Sequence, residues 1–210
     1  MIELIQKGGP VMIALLGASV LAVTFIVERL FWWFAQYREM PASVWESRMG
    51  LLREGGIGPF LDFCRTSKDP VARTFCRAAR GTESIRPEIL AAEADVTLQD
   101  SLKFLGLLDT VVTLSPLLGI FGTVTGIIRS FDLMGAQGIS DPHAVSAGIA
   151  QALITTAAGL AVAMPSLVCH SFFVSKSERL AARLDRACAE FEIAAARPAR
   201  KGTRPCEPVA

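Results

Sequence analysis

Residues 143 to 173 read HAVSAGIAQALITTAAGLAVAMPSLVCHSFF. From Ala144 to His170 there is no Lys, Arg, Asp or Glu over twenty-seven residues. A helix rising about 1.5 Å per residue crosses a hydrocarbon core about 30 Å thick in about 20 residues, so the stretch is long and apolar enough to span a membrane. It nevertheless keeps Gln151, Thr155 and Thr156 near its middle. Lipid supplies no hydrogen-bond partners, and polar groups at that depth face a packed neighbour or a hydrated path. Gln151 and Thr155 are i, i+4 neighbours and Thr156 stands one position round, so the three share one broad helix face.

Two more windows have the same character. Gly8 to Val27 holds twenty residues and Thr110 to Ile128 nineteen, all without a charged side chain. Half of the 210 residues are hydrophobic (51%) and a fifth are charged (20%), and the two kinds are segregated along the chain. Three transmembrane helices follow. The first reads as an uncleaved anchor, because it is longer than a signal-peptide core and runs into ERLFWWFAQYRE with no small-residue cleavage site. Phe31, Trp32, Trp33 and Tyr37 form an interfacial aromatic belt.

Orientation follows from the positive residues. Ten Lys and Arg lie between Leu30 and Lys103 and eight from Lys176 onward, whereas DLMGAQGISDP between the second and third spans has none. The positive-inside rule then puts the middle segment and C-terminus in the cytoplasm and the N-terminus and short second loop outside. The formal net charge of +1 gives no reason to expect nucleic acid as a partner. Cys64, Cys76, Cys169, Cys188 and Cys206 show no CxxC spacing, so neither a disulfide framework nor a zinc site is expected. His143 and His170 are too few and too separate for a metal centre. No cofactor is indicated.

The chain divides into an outer segment (1–9), a first span (10–30), a cytoplasmic helical region (31–105), a second span (106–133), an outer loop (134–142), a third span (143–174), a cytoplasmic stem (175–196) and a polar, disordered tail (197–210). GGIGPF (55–60) and SKDP (67–70) punctuate the cytoplasmic region. A helix starts near SIRPEIL, with Pro87 in its first turn, and nothing from Glu88 to Leu114 is a recognised breaker. One unbroken helix is therefore expected from the cytoplasm into the second span. Leu180, Leu184, Ala187, Phe191 and Ala194/Ala195 mark the apolar stripe of the stem. The fold class is all-α.

The second and third spans are richer in small residues than the first. Gly119, Gly122 and Gly126 on one, and Gly148, Gly159 and a run of alanines on the other, allow close backbone approach, and Pro116 and Pro165 are counted with them as helix-packing positions. One chain has too little surface to use all of these positions, which implies a homo-oligomer. The polar residues have two readings: Gln151, Thr155 and Thr156 serve as interhelical glue, or with Thr123 they line a polar path. An antiparallel hairpin brings Thr123 and Thr156 to similar depth. Asp109 is either a solvated interfacial residue or an acid at the cytoplasmic end of such a path.

The order LSPLLGIFGTVTGIIRSF, a short loop, then GIAQALITTAAGLAVAMPSLV resembles the signature region of the MotA/TolQ/ExbB proton channel family, in its ExbB/TolQ branch. The detailed match covers 107–173, and the three-span layout extends it to most of the chain. The resemblance implies a homopentamer of the bacterial inner membrane whose second and third spans line a central pore. It implies a single-span ExbD-like or TolR-like partner inside, carrying a membrane aspartate, and a TonB-like or TolA-like protein driven by proton flow. Thr123 and Thr156 match the family's pore threonines. Position 151 departs from the family, which shows GIAEAL where this chain has GIAQAL; an amide exchanges hydrogen bonds but does not carry a proton as a carboxylate does.

The expected function is an ExbB-type proton-channel and motor subunit that uses the proton motive force to energise a TonB-like protein for outer-membrane transport. The alternatives are a TolQ-like subunit of the Tol envelope-integrity system, a non-conducting pentameric scaffold and a stand-alone pore. The segment ITTAAGLAVA favours the ExbB side. The sequence shows no nucleophile–base pair, phosphate loop or metal cluster, so an enzyme is not expected.

Overall fold

The computed structural model describes residues 9–36, 50, 57–80, 85–137 and 142–196. Residues 1–8 and 138–141, Gly55 and Gly56, Tyr37, Cys206 and the residues from 197, on which several of the sequence expectations fall, lie outside them. Among the described residues the helices run in order α1 Pro10–Gln36, α2 Ile57–Thr66, α3 Pro70–Ala78, α4 Pro87–Leu102, α5 Leu105–Gln137 and α6 Pro142–Ala196. Among the described residues there is no strand, and the protein is all-α as its sequence pattern requires. Three stretches are long and apolar enough to cross a membrane: Pro10–Ala35, Pro87–Asp132 and Ser146–Ile193. It is a multi-pass membrane protein.

The expectation of one unbroken helix through residue 103 is corrected by the structure. Lys103 and Phe104 form a turn between α4 and α5, and Phe104 has a φ of 64°. A side chain with Cβ pays roughly 1–2 kcal/mol for that left-handed backbone, so other contacts have to hold it. The Phe104 ring stacks on Phe25 of α1 at 5.4 Å between centroids and 18° between planes. The Arg29 guanidinium lies 5.6 Å from the ring centroid of Phe104 and 5.2 Å from that of Trp32, and Lys103 Nζ lies 5.1 Å from Phe104. Arg29 is buried and donates from Nε to Glu28 Oε2 at 2.6 Å. No local signal in the sequence marks this break, because its support comes from α1.

Two compact units make up the chain. The first comprises residues up to 34 with 102–177, and the second 35–101 with 178–210. In the first, α5 and α6 form an antiparallel hairpin whose seam is built from small residues. A Cβ placed on Gly159 would stand 2.6 Å from the Ser115 carbonyl oxygen and 3.2 Å from Gly119 Cα. One on Gly126 would stand 3.0 Å from Ala152 Cβ and 3.1 Å from the Gly148 carbonyl oxygen. Only glycine lets the backbones approach so closely, and in lipid that contact replaces the hydrophobic drive a soluble helix pair would have. Val11, Met12 and Leu15 of α1 pack against Leu118 of α5 and Ile154 and Ala158 of α6.

The second unit has a conventional apolar core. Phe60, Phe75 and Phe191 are fully buried; Phe75 meets Phe60 at 5.3 Å and Phe191 at 5.7 Å between ring centroids, both edge-on. The stripe expected on the stem, Leu180, Leu184, Ala187 and Phe191, is the buried face of α6 here. Asp69 caps α3 by accepting from the Val71 N–H at 2.9 Å, and its second oxygen accepts from Arg183 at 2.7 Å. Thr74 and Thr97 share a hydrogen bond of 2.8 Å between α3 and α4.

Cys64 is buried beside this core, and burial pushes its thiol up to about 12, with Cys76 and Asp69 adding to the shift. The neutral thiol is the form favoured below that value, and only a thiolate attacks an alkylating reagent. Cys64 is therefore expected to stay unmodified by iodoacetamide at pH 8 until the unit is unfolded in denaturant. Mass spectrometry of the labelled peptides reads this, and prompt labelling in the native protein would show that the site opens.

Candidate functional site

The sequence singles out the facing sides of α5 and α6, and the structure gives each residue there a definite place. Thr155 is buried in the seam: it donates to the Ala152 carbonyl at 2.8 Å and fills the space left by the absent side chain of Gly122. Thr156 is half-buried and donates across the hairpin to the Gly119 carbonyl at 3.0 Å. Thr123, also half-buried, lies one turn beyond Gly119 and donates to the Ile120 carbonyl at 2.6 Å. Thr123 and Thr155 spend their protons on their own helices, as intramembrane hydroxyls commonly do, whereas Thr156 ties two helices together.

Gln151 is half-buried and its amide sits against Gly9, at the start of α1, so closely that a Cβ on Gly9 would collide with Nε2. Gly9 has a φ of 71°, which a larger residue would hold only with strain. Gly119, Gly122, Gly126, Gly148 and Gly159 all line the seam, with Gly148 against Ser130 and Gly126. Pro116 is half-buried within α5, and Ser115 beside it donates to the Val111 carbonyl at 2.7 Å. Pro165 is exposed within α6. Asp109 is exposed at the other end of the hairpin, with Oδ1 4.0 Å from His170 Nε2.

The arrangement brings Thr155, Thr156 and the five glycines to one seam. Thr123 stands at its edge, Gln151 faces the start of α1, and Asp109 lies some four turns away. Sequence reasoning passed over His170, Arg29 and Gly9. His170 was discounted because a metal centre needs more ligands than two separate histidines; the hairpin register shows an acid beside it instead. Gly9 carried no signal, since the clearance it provides depends on a side chain far along the chain.

Chemically, hydroxyls and an amide order water and pass hydrogen bonds, but near neutral pH they do not take up and release a proton as a carboxylate does. Neither apolar window of the hairpin, Thr110 to Ile128 or Ala144 to Cys169, contains an acid, a base or a histidine. Both helices also expose large apolar side chains, among them Leu117, Phe121 and Val124 on α5 and Leu153, Met164 and Val168 on α6. Such surfaces suit lipid or neighbouring helices.

Comparison with known proteins agrees with this layout. Residues 66–186 match the model of the MotA/TolQ/ExbB proton channel family. The chain is 32% identical over 195 residues to the biopolymer transport protein ExbB-like 3 of Synechocystis, covering 90% of this chain and 91% of that protein. It is 40% identical over 95 residues to the Tol-Pal system protein TolQ of Pseudomonas aeruginosa, covering 45% of this chain and 40% of that protein. It is 40% identical over 74 residues to the biopolymer transport protein ExbB of Aquifex aeolicus, covering 35% and 50% respectively. With more than half of its length under the family model and a relative matched nearly end to end, the chain belongs to the MotA/TolQ/ExbB proton channel family, in which it is an ExbB/TolQ-type subunit.

Proposed function

We propose that this chain is the multi-pass subunit of an ExbB–ExbD type complex, five copies surrounding a single-span partner whose membrane aspartate carries protons. It lies in the bacterial inner membrane with its N-terminus outside and C-terminus in the cytoplasm, and proton flow through it energises a TonB-like protein. The observation that carries this reading is the α5–α6 hairpin. Its seam is locked by backbone-level contact, it leaves Thr123, Thr156 and Gln151 half-buried, and it holds no acid or base at that level. Such a surface lines a path without supplying the carrier. In the assembly Thr123, Thr156 and Gln151 border the lumen and Thr155 backs them from the seam.

The test is proton flux into vesicles containing the full chain, with and without its ExbD-like partner. Flux is expected only with the partner. A scaffold passes none in either case, and a stand-alone pore conducts alone. In the same assay Thr156→Val, which keeps the volume and removes one hydrogen bond of about 1 kcal/mol, is expected to lower flux several-fold with the oligomer intact by native mass spectrometry. Parent-level flux would count against a lumen role for this hydroxyl.

A TolQ-like role in the Tol system is the second reading, favoured by identity to TolQ as high, at 40%, as that to the Aquifex ExbB. Co-purification with a TolR-like and TolA-like pair in place of ExbD-like and TonB-like proteins would establish it.

A further inference from the structure

The face of the hairpin that carries the threonines continues past them. Thr123 and Asp109 are fourteen residues apart on α5, and Thr156 and His170 are fourteen apart on α6. At 3.6 residues per turn, fourteen residues fall just short of four turns, so in each helix the second residue stands about 40° round and about 21 Å along the axis from its threonine. The seam keeps the two helices in step: Gly126 meets Ala152, Gly119 meets Thr156 and Gly159 meets Ser115. Asp109 and His170, with Oδ1 and Nε2 4.0 Å apart, continue the same antiparallel register to the end of the hairpin. Between the two levels this face shows Ile120, Leu160 and Leu167, and His170 and Asp109 are the first titratable groups beyond them.

The two partners differ in exposure. The His170 side chain is 20% exposed and that of Asp109 62%, so one is set into the hairpin and the other opens outward. Arg29 pairs with Glu28 and lies over the rings of Trp32 and Phe104, Lys103 lies over Phe104, and Lys176 lies 5.9 Å from the Phe172 ring centroid. A neutral imidazole takes a proton on one nitrogen and yields one from the other. A gap of 4.0 Å exceeds a direct hydrogen bond, but a small rotation or one bridging water closes it.

We propose that His170 and Asp109 form the proton-release pair of the channel, an inference that rests on the proton-channel reading above. A proton arriving through water binds His170 Nδ1 and gives an imidazolium. The Nε2 proton passes to Asp109 Oδ1, directly or through one water, and leaves from there to bulk water. The imidazole, now protonated on Nδ1, returns to its starting tautomer by exchange with water. One proton is moved, and no heavy-atom bond forms or breaks.

The test uses the full chain with its ExbD-like partner in vesicles, with flux driven by a pH gradient. His170→Ala and Asp109→Asn are each expected to lower flux about a hundredfold or more, the scale of a lost positioned proton-transfer group. The double variant should be no worse than the weaker single, because the two groups act in series. Added imidazole should restore flux to His170→Ala and leave Asp109→Asn unchanged, which a purely structural role would not produce. Should His170→Ala fail to assemble, His170→Gln keeps the size and polarity and is held to the same loss. Parent-level flux in both single variants overturns the pair while leaving the channel reading standing, as does a loss in His170→Ala that imidazole does not relieve. If the parent complex itself passes no protons above protein-free vesicles, the channel reading fails and the pair falls with it.

Discussion

Gly159→Leu is expected to prevent accumulation of the folded α5–α6 hairpin, while Gly17→Ala leaves the protein at parental level. The reason is what each new side chain meets. At Gly159 the first added carbon stands 2.6 Å from the Ser115 carbonyl oxygen and 3.2–3.3 Å from backbone atoms of Gly119. Those are main-chain atoms in a helix, so no rotamer change relieves the overlap and the helices have to separate. Overpacking of a rigid site costs on the order of 3 kcal/mol before lost contacts are counted. Separation also removes the bond from Thr156 to the Gly119 carbonyl and the packing of Thr155 against Gly122. Gly17 has no atom within 4 Å of where its Cβ would be, and alanine there gains up to about 1 kcal/mol of helix propensity. Membrane-fraction yield and thermal aggregation of the detergent-solubilised protein read both results. A Gly159→Leu protein that accumulates and melts like the parent would show that the seam is looser than its geometry.

Arg183→Met is expected to destabilise the second unit strongly, costing about 3 kcal/mol as the partner of a buried charge is removed. Asp69 is fully buried; one carboxylate oxygen caps α3 through the Val71 N–H and the other accepts from Arg183 at 2.7 Å. Methionine keeps most of the aliphatic volume of arginine, so the loss reports the charge and its hydrogen bond more than packing. Asp69→Asn retains an oxygen for the cap and is expected to cost less, about 1–2 kcal/mol. Combined with Arg183→Met, it should be milder than the arginine change alone, since a neutral amide no longer needs a cation. Denaturation of the four proteins in a double-mutant cycle checks this, with the second unit followed by the exposure of Cys64. Additive losses would mean that the two side chains do not interact energetically.

Much of the architecture was legible because it depends on composition over lengths set by the bilayer. Windows free of charge located three spans, Pro87 marked the start of α4, and the glycines of the second and third spans marked the faces that meet. What escaped notice depends on residues far apart in the chain. Phe104 is an ordinary helix residue in isolation; its left-handed backbone is held by Phe25 and Arg29, some eighty residues earlier. Gln151 invited comparison with the glutamate of relatives, but where its amide packs was settled by Gly9. The threonines read as one polar face, and the fold separates them: Thr155 goes into the seam, Thr156 bonds across it and Thr123 stands at its edge.

The sequence by itself determined that this is a three-span helical membrane protein of a proton-channel family, because hydropathy over about 20 residues and local motif spacing are properties of the chain alone. Tertiary structure decided which polar groups meet. The register of an antiparallel hairpin is fixed where glycines let backbones touch, and that register sets every pairing further along the helices. A slip of one turn, about 5.4 Å, would separate His170 from Asp109 and take Thr156 from the Gly119 carbonyl, with the same residues in the same order.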